Sequence, residues 1–277
     1  MYNDVKKQHY VWEFYLKAWC FEGNKIWCNR NGNIFNTSTE NIAQERRFYE
    51  ITPLTNDEIG LIEAGINTMP KENRNILNLK LRNLIEYSLH SDNTRKNALE
   101  CEYADMEQRT VSILQSIRKG SIDVLDNQYD KNIFSIFLGM QYTRTPKCRN
   151  GKINCLPEGL FQISDNFMFY WNYVFFSDAI GSWISSAKVS LLKNKTNIPF
   201  ITGDQPVINI KSEYDNTPAK EIQLYYPISP KLALLFDEKE LFENPISVDD
   251  VLFYNEKIKQ ASETLIIGNK KETVENV

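Results

Sequence analysis

No C-x-x-C pair occurs in this chain, and its two histidines, His9 and His90, stand far apart. Those spacings exclude the usual structural zinc sites, whose ligands come in close pairs. The five cysteines, Cys20, Cys28, Cys101, Cys148 and Cys155, are odd in number and scattered. They read as free thiols of a reducing compartment. The opening MYNDVKKQHY lacks the apolar run of a signal peptide. Phe167 to Trp183, the greasiest stretch, is broken by Asn172, Asp178 and Gly181 and is too short for a clean membrane span. A cytoplasmic protein without a membrane partner is the expectation. A net charge of −4 gives no global basic field, so non-specific nucleic-acid binding is not the default. Also missing are a phosphate-binding glycine loop, a dinucleotide fingerprint, a G-x-S-x-G elbow and an H-E-x-x-H helix.

What is present is an ordinary globular composition with many rings. Apolar residues make up 42% of the 277, charged residues 25% and aromatics 12%. A chain of this length buries a core without staples, and large rings should dominate it.

Without internal repeats or low-complexity linkers, the chain reads as one domain over 1–277. VWEFYLKAW has apolar residues at 12, 15, 16 and 19, a helical spacing. KIWCNRNGNIFNTS gives two β-like runs joined at Asn31-Gly32, the strongest short-range hairpin signal, which predicts a hairpin over about 24–37. Helical periodicity dominates 56–183, with candidate helices at 56–68, 71–89, 95–119, 130–145 and 160–181. From 184 to 268, short β-rich runs (IPFIT, PVINI, IQLYYPI, KLALLF, ETLIIG) alternate with turns, interrupted by a helix near 248–262. The expected class is α+β: helices in the first two-thirds, after the hairpin, packed on a C-terminal antiparallel or mixed sheet.

Separated motifs add a family resemblance. Gln8-His9-Tyr10-Val11 with Phe14-Tyr15-Leu16, Gln141-Tyr142-Thr143-Arg144-Thr145-Pro146, Phe200-Ile201-Thr202-Gly203-Asp204-Gln205-Pro206-Val207, Pro227-Ile228-Ser229-Pro230, and Asn255 with Ala261 occur in that order. Together they resemble the bacterial domain-of-unknown-function family 4238 over nearly the whole chain, from residue 8 to about 268. Trp12 stands where that family usually has proline, a change expected to loosen the first helix. Gly203 and Gln205 replace its commoner serine and asparagine around Asp204. The resemblance brings no reaction with it.

Candidate site residues therefore come from misplaced polarity. On the helix over 95–119, Leu99, Tyr103, Met106, Val111, Ile113, Leu114 and Ile117 share one arc, and Glu100 and Glu107 fall inside it. Two turns, ~10 Å, separate the two carboxylates. Glu102, Asp105, Gln108 and Arg109 take the opposite face. A buried carboxylate needs a cation, a donor, a metal or a proton, so Glu100 and Glu107 read either as site residues or as members of structural ion pairs. Gln141 shares the apolar face of Phe134, Phe137 and Leu138, and Arg144 follows one turn on. Together they could clamp a phosphate or carboxylate, or Arg144 could pair internally with Glu107 or Glu100.

Arg144, Lys147, Arg149 and Lys152 form a cation run that reads as a phosphate rim or as a solvated loop. His9, just before the first helix, suits a general base or metal ligand kept neutral, or a hydrogen-bonded structural role. Asp204 sits in a turn between two β runs, where Asp commonly bonds local backbone. Asn255 and Tyr10 read as capping or core. The rings between Phe167 and Phe176 point all round their helix, which favours core over base stacking.

The working expectation is a hydrolase of a phosphate-containing substrate, nucleic acid or nucleotide. His9, Glu107 and Asp204 would be catalytic, and Gln141, Arg144 and Asn255 would bind substrate. Glu107, Asp204 and Glu100 would be candidate ligands of a divalent cation, Mg²⁺ or Mn²⁺. The kind of bacterial protein it resembles suggests a setting in anti-phage defence. The alternative is a non-catalytic protein that binds a ligand or partner and whose polar cluster is structural.

Overall fold

A computed structural model describes residues 5–151, 161–213, 219–239 and 245–275. The chain opens with β1 (Lys7–His9) and the single turn α1 (Glu13–Leu16), which a 3₁₀ turn (Lys17–Trp19) extends. The apolar spacing of that segment thus yields under two turns of α-helix. Trp12, at the N-cap, holds φ −52°, the angle a proline ring would impose. Its N–H, which proline would lack, donates to Gln141 Oε1 at 3.4 Å. The hairpin follows as β2 (Lys25–Arg30) and β3 (Asn33–Ser38), paired through Arg30 and Asn33. Asn31 (φ 51°) and Gly32 (φ 86°) supply the two left-handed residues of its turn.

Next come β4 (Gln44–Arg46) and the helices α2 (Asn56–Thr68), α3 (Lys71–Leu89), α4 (Asp92–Arg118), α5 (Gln128–Thr143), α6 (Pro146–Arg149), α7 (Phe167–Trp171) and α8 (Ser177–Ser186). Capping fixes several starts: Thr55 and Glu58 form a reciprocal box at α2, and Asn127 Oδ1 accepts from the first turn of α5. Helix α5 stops before Pro146, whose ring disfavours helical backbone in the residue ahead of it. The chain then forms β5 (Lys188–Lys193), β6 (Thr202–Gly203), β7 (Ile208–Asn209), β8 (Leu224–Ser229), β9 (Leu232–Asp237), α9 (Val248–Ala261), β10 (Leu265–Gly268) and α10 (Lys271–Glu275).

The architecture is α+β, and every strand pair among the described residues is antiparallel. One sheet has the order β5-β9-β8-β7; a second has β3-β2-β10-β6, so the early hairpin is completed by strands from the last third of the chain. Strands β1 and β4 form a separate two-stranded ribbon. Its strand β4 is bracketed by Ala43 (φ 52°) and Arg47 (φ 58°). Non-glycine residues held in the left-handed region cost ~1 kcal/mol or more each.

Among the rings of the 167–176 run, Phe167, Phe169, Tyr170, Tyr173 and Phe175 are buried, whereas Phe176 is exposed. A π turn over Asn172–Phe176 links α7 to α8, and its extra residue resets which side chains face inward. The predicted helix 160–181 is thereby moved: position 160 lies outside the described residues, and the helix runs on to Ser186. Cys20, Cys28, Cys101 and Cys148 are free thiols; Cys155 and Lys152 lie outside the described residues.

Helices α5 and α8 cross with almost no side chain between them. A Cβ at Gly139 would lie 2.1 Å from the Ser177 carbonyl oxygen and 2.8 Å from the Gly181 nitrogen. Both obstacles are backbone, so the helices themselves must separate. Gly139→Ala is expected to cost ~1–3 kcal/mol through this overpacking, seen as a lower midpoint in thermal or denaturant unfolding. An unchanged midpoint would refute the close-crossing account.

Candidate acid–base recess

A recess of about 240 Å³ opens between the ribbon's end, α1 and α4, lined by His9, Trp12, Glu13, Phe14, Lys17, Glu100, Tyr103, Ala104 and Glu107. His9 enters from β1. Its Nε2 lies 3.3 Å from the Thr39 carbonyl oxygen, which can only accept, so Nε2 carries the proton and Nδ1 is the free acceptor. Burial lowers the pKa of His9, aided by the positive charges of Arg144 and Lys7, while the Thr39 hydrogen bond and Glu13 act against it. The imidazole is therefore held neutral at physiological pH.

Glu100 lines the same recess from α4, is half-buried and makes no hydrogen bond or ion pair with any described residue. Burial pushes its carboxyl up to about 7, with Glu107 adding to the rise and Arg144 opposing it. Glu107, two turns along the same face, is treated differently. Arg144 donates to its Oε1 at 2.6 Å. Burial still raises the Glu107 carboxyl, against the pull of that guanidinium.

Behind this wall the polar chain continues inward. Arg144 also donates to Gln141 Oε1 at 2.8 Å, which fixes the amide so that Nε2 donates to the Tyr10 carbonyl at 2.8 Å. Gln141 thus holds the main chain on both sides of Val11, next to His9. The guanidinium lies 5.2 Å from the Tyr103 ring centre and is 1% exposed. Its pKa, which burial would lower, is raised by Glu107 and neighbouring phenols. Of the two sequence readings, this is the internal pairing: Gln141 and Arg144 support the recess and do not line it.

Asp204 and Asn255 occupy other places. Both Asp204 oxygens accept main-chain N–H groups, from Glu263 at 2.8 Å, Thr264 at 2.8 Å and Leu265 at 3.0 Å. They cap the loop that leads into β10. Burial raises the Asp204 carboxyl against these hydrogen bonds. Asn255 bridges the Pro199 carbonyl (3.0 Å) and the Ile201 N–H (3.1 Å). Tyr10 is core, packed on Phe48 at 5.2 Å. In the cation run, Lys147 donates to the Ala261 carbonyl at the end of α9, and Arg149 meets Glu45 at 3.3 Å. Gln205 accepts from Thr145 Oγ1 and donates to the Tyr142 carbonyl at 3.0 Å, tying α5 to the Asp204 turn. Among the described residues, no three His, Cys, Asp or Glu side chains gather where they could hold a metal ion; Glu100 and Glu107 share the recess, and Asp204 is elsewhere.

Several contributors escaped the periodicity argument. Glu13 accepts from Thr39 Oγ1 at 3.0 Å and pairs with Lys17 at 3.2 Å; its spacing of four from both His9 and Lys17 was the available signal. Gln8, fully buried, accepts from the Tyr49 N–H and donates to the Lys96 carbonyl, both at 2.8 Å, anchoring β1 to α4. Arg118 donates to the carbonyls of Ile228, Phe14 and Tyr15, bracing α1. Glu102 is half-buried and accepts from the hydroxyls of Tyr87 and Tyr173, both at 3.0 Å, while Asp105, Gln108 and Arg109 are exposed.

No helix among the described residues is long and apolar enough to cross a membrane. No curated protein and no solved structure matches the chain. The family model described as "Protein of unknown function (DUF4238)" matches residues 7–166 and 172–272, the span over which the motifs around His9, Arg144, Asp204 and Asn255 occur, and the chain belongs to that family.

Proposed function

We propose that the recess is the acid–base centre of a hydrolase acting on a phosphate-containing substrate, a nucleotide or nucleic acid. The observation that carries this reading is the opposed tuning of two groups that line one recess. His9 is held neutral, and Glu100, pushed up to about 7, still carries its proton in about half of the molecules at neutral pH. These shifts reverse the usual order of an imidazole and a carboxyl, which leaves an unprotonated base beside an acid that can still carry a proton.

In the proposed reaction, His9 Nδ1 takes a proton from water as the water oxygen bonds to phosphorus. The bond from phosphorus to the leaving oxygen breaks, and that oxygen receives the Glu100 proton. Proton exchange with solvent resets both groups. Glu107, through Arg144 and Gln141, positions the segment that bears His9 and does not touch the reacting atoms. The same buried network also fits the alternative, a structural cluster in a ligand- or partner-binding protein, because Arg144 is sealed from solvent.

The test is a pH–rate profile with labelled RNA, DNA and nucleotides, with and without Mg²⁺ or Mn²⁺. The rate should rise as His9 deprotonates below its ordinary 6.5 and fall as Glu100 ionises near 7. His9→Ala should remove the acid-side limb and ~10²–10⁴-fold of the rate. Absence of turnover of all these substrates, or an undiminished His9→Ala rate, would sink the proposal. Anti-phage defence belongs to the same proposal as its setting, and would show as plaque protection that His9→Ala abolishes.

A further inference from the structure

The two-stranded ribbon carries an arrangement that folding alone disfavours. Lys7 on β1 stands directly opposite Arg46 on β4, and like charges in register on one face repel. Both are exposed, and neither has an ion-pair partner among the described residues. Strand alternation puts His9 and its partner Gln44 on that same face, one pair along.

Around Lys7 and Arg46 lies an open basin of about 450 Å³, lined by Lys6, Lys7, Gln44, Glu45 and Arg46. Glu45, the acid in that lining, is engaged by Arg149 at 3.3 Å. The strand holding Arg46 is also the one fixed between two left-handed non-glycine residues, Ala43 and Arg47. Strain combined with unopposed like charge is a local conflict that a ligand can resolve.

We propose that this face is a phosphate-binding subsite, in which Lys7 and Arg46 hold the phosphate group next to the one attacked at His9. The inference rests on the hydrolase reading for the identity of the attacked group, and it narrows the substrate to one with at least two neighbouring phosphates. Lys7 lies two residues from His9, ~7 Å along the strand, a step comparable to the spacing of successive phosphates in a nucleic-acid strand. Two sources offer that chemistry, the backbone of a strand and the polyphosphate of a nucleotide. Lys7 also suits the electrostatics of the site, since its positive charge beside His9 helps keep the imidazole neutral.

The probes are short fluorescein-labelled RNA and DNA strands, followed by anisotropy across a salt series, with ATP as competitor. Wild type should bind, more weakly as salt rises. Lys7→Ala/Arg46→Ala should weaken binding at least ~10-fold and reduce the log–log salt slope by about 1.4, two contacts at ~0.7 each on a single strand. Lys7→Arg/Arg46→Lys should keep both, as should the remote Lys195→Ala. Relief of like-charge repulsion means the double-alanine variant should melt no lower than wild type, which separates lost binding from lost fold. Competition by ATP names a polyphosphate, and its failure names strand backbone. Binding that is absent, or unchanged in the double-alanine variant, overturns the subsite even if turnover is present. Binding that depends on Lys7 and Arg46 while Glu100→Gln leaves turnover untouched would overturn the hydrolase reading and keep the subsite.

Discussion

Replacing Glu100 with Gln should make the protein more stable above neutral pH while costing ~10²–10⁴-fold in rate. The stability gain follows from the sign of the shift. An unfolded chain ionises this carboxyl near 4.5, whereas the folded one holds its proton up to about 7. Between those values the unfolded state releases the proton first, so stability declines as pH rises and is flat above the upper value. A carboxyl moved that far carries a penalty of ~3 kcal/mol once ionised, at ~1.4 kcal/mol per pH unit. Glu100 keeps some contact with water, and screening trims the measurable share to ~1–2 kcal/mol. Gln cannot ionise, so the variant escapes this cost at pH ~8 and gains little at pH ~4. For a chain of this size the gain amounts to roughly 2–4 °C per kcal/mol. Thermal melts at both pH values, beside rates, provide the check. A structural carboxylate would behave oppositely, its removal lowering the melting temperature where it is charged. That result would end the acid role.

The positions of Glu100 and Glu107 were legible because helical periodicity is a local property: two acids on an apolar arc are visible without partners. The opposite face is exposed at Asp105, Gln108 and Arg109, as the arc predicts, whereas Glu102 at its edge is half-buried because the hydroxyls of Tyr87 and Tyr173 reach it from α3 and the π turn. Asn31-Gly32 announced its hairpin through the backbone angles it permits. Strands β1 and β4, KQH and QER, have no apolar alternation to betray them. Their pairing, and with it the opposition of Lys7 and Arg46, depends on main-chain register. Asp204 shows the other limit. Its turn was apparent, but the amides it caps lie 59 to 61 residues further along, and no local signal names them. Convergence of His9 with Glu100 and Glu107 is likewise long-range, and depends on Gln8 and Gln141 fastening β1 and the Tyr10 carbonyl to α4 and α5.

Arg144→Met should cost about 3–5 kcal/mol near pH 8, the usual penalty for stranding one member of a buried ion pair. Glu107, whose side chain is 18% exposed, would lose the guanidinium that now offsets its burial. Its carboxyl would rise further, so the deficit should grow as pH rises through the carboxylate range and shrink near pH 4, where protonation removes the stranded charge. Arg144→Met/Glu107→Gln should recover about half of the loss or more, because an uncharged pair leaves no buried ion behind. Denaturant unfolding of the four proteins at two pH values measures the coupling, and a single-variant loss under ~1 kcal/mol would show the pair to be incidental. The rate separates support from chemistry. Without Arg144, Gln141 is free to turn, and the Tyr10 carbonyl and Trp12 N–H lose a fixed partner beside His9. Folded Arg144→Met should therefore turn over substrate more slowly while keeping both limbs of its pH profile, because the base and the acid are still present and only their placement has been relaxed.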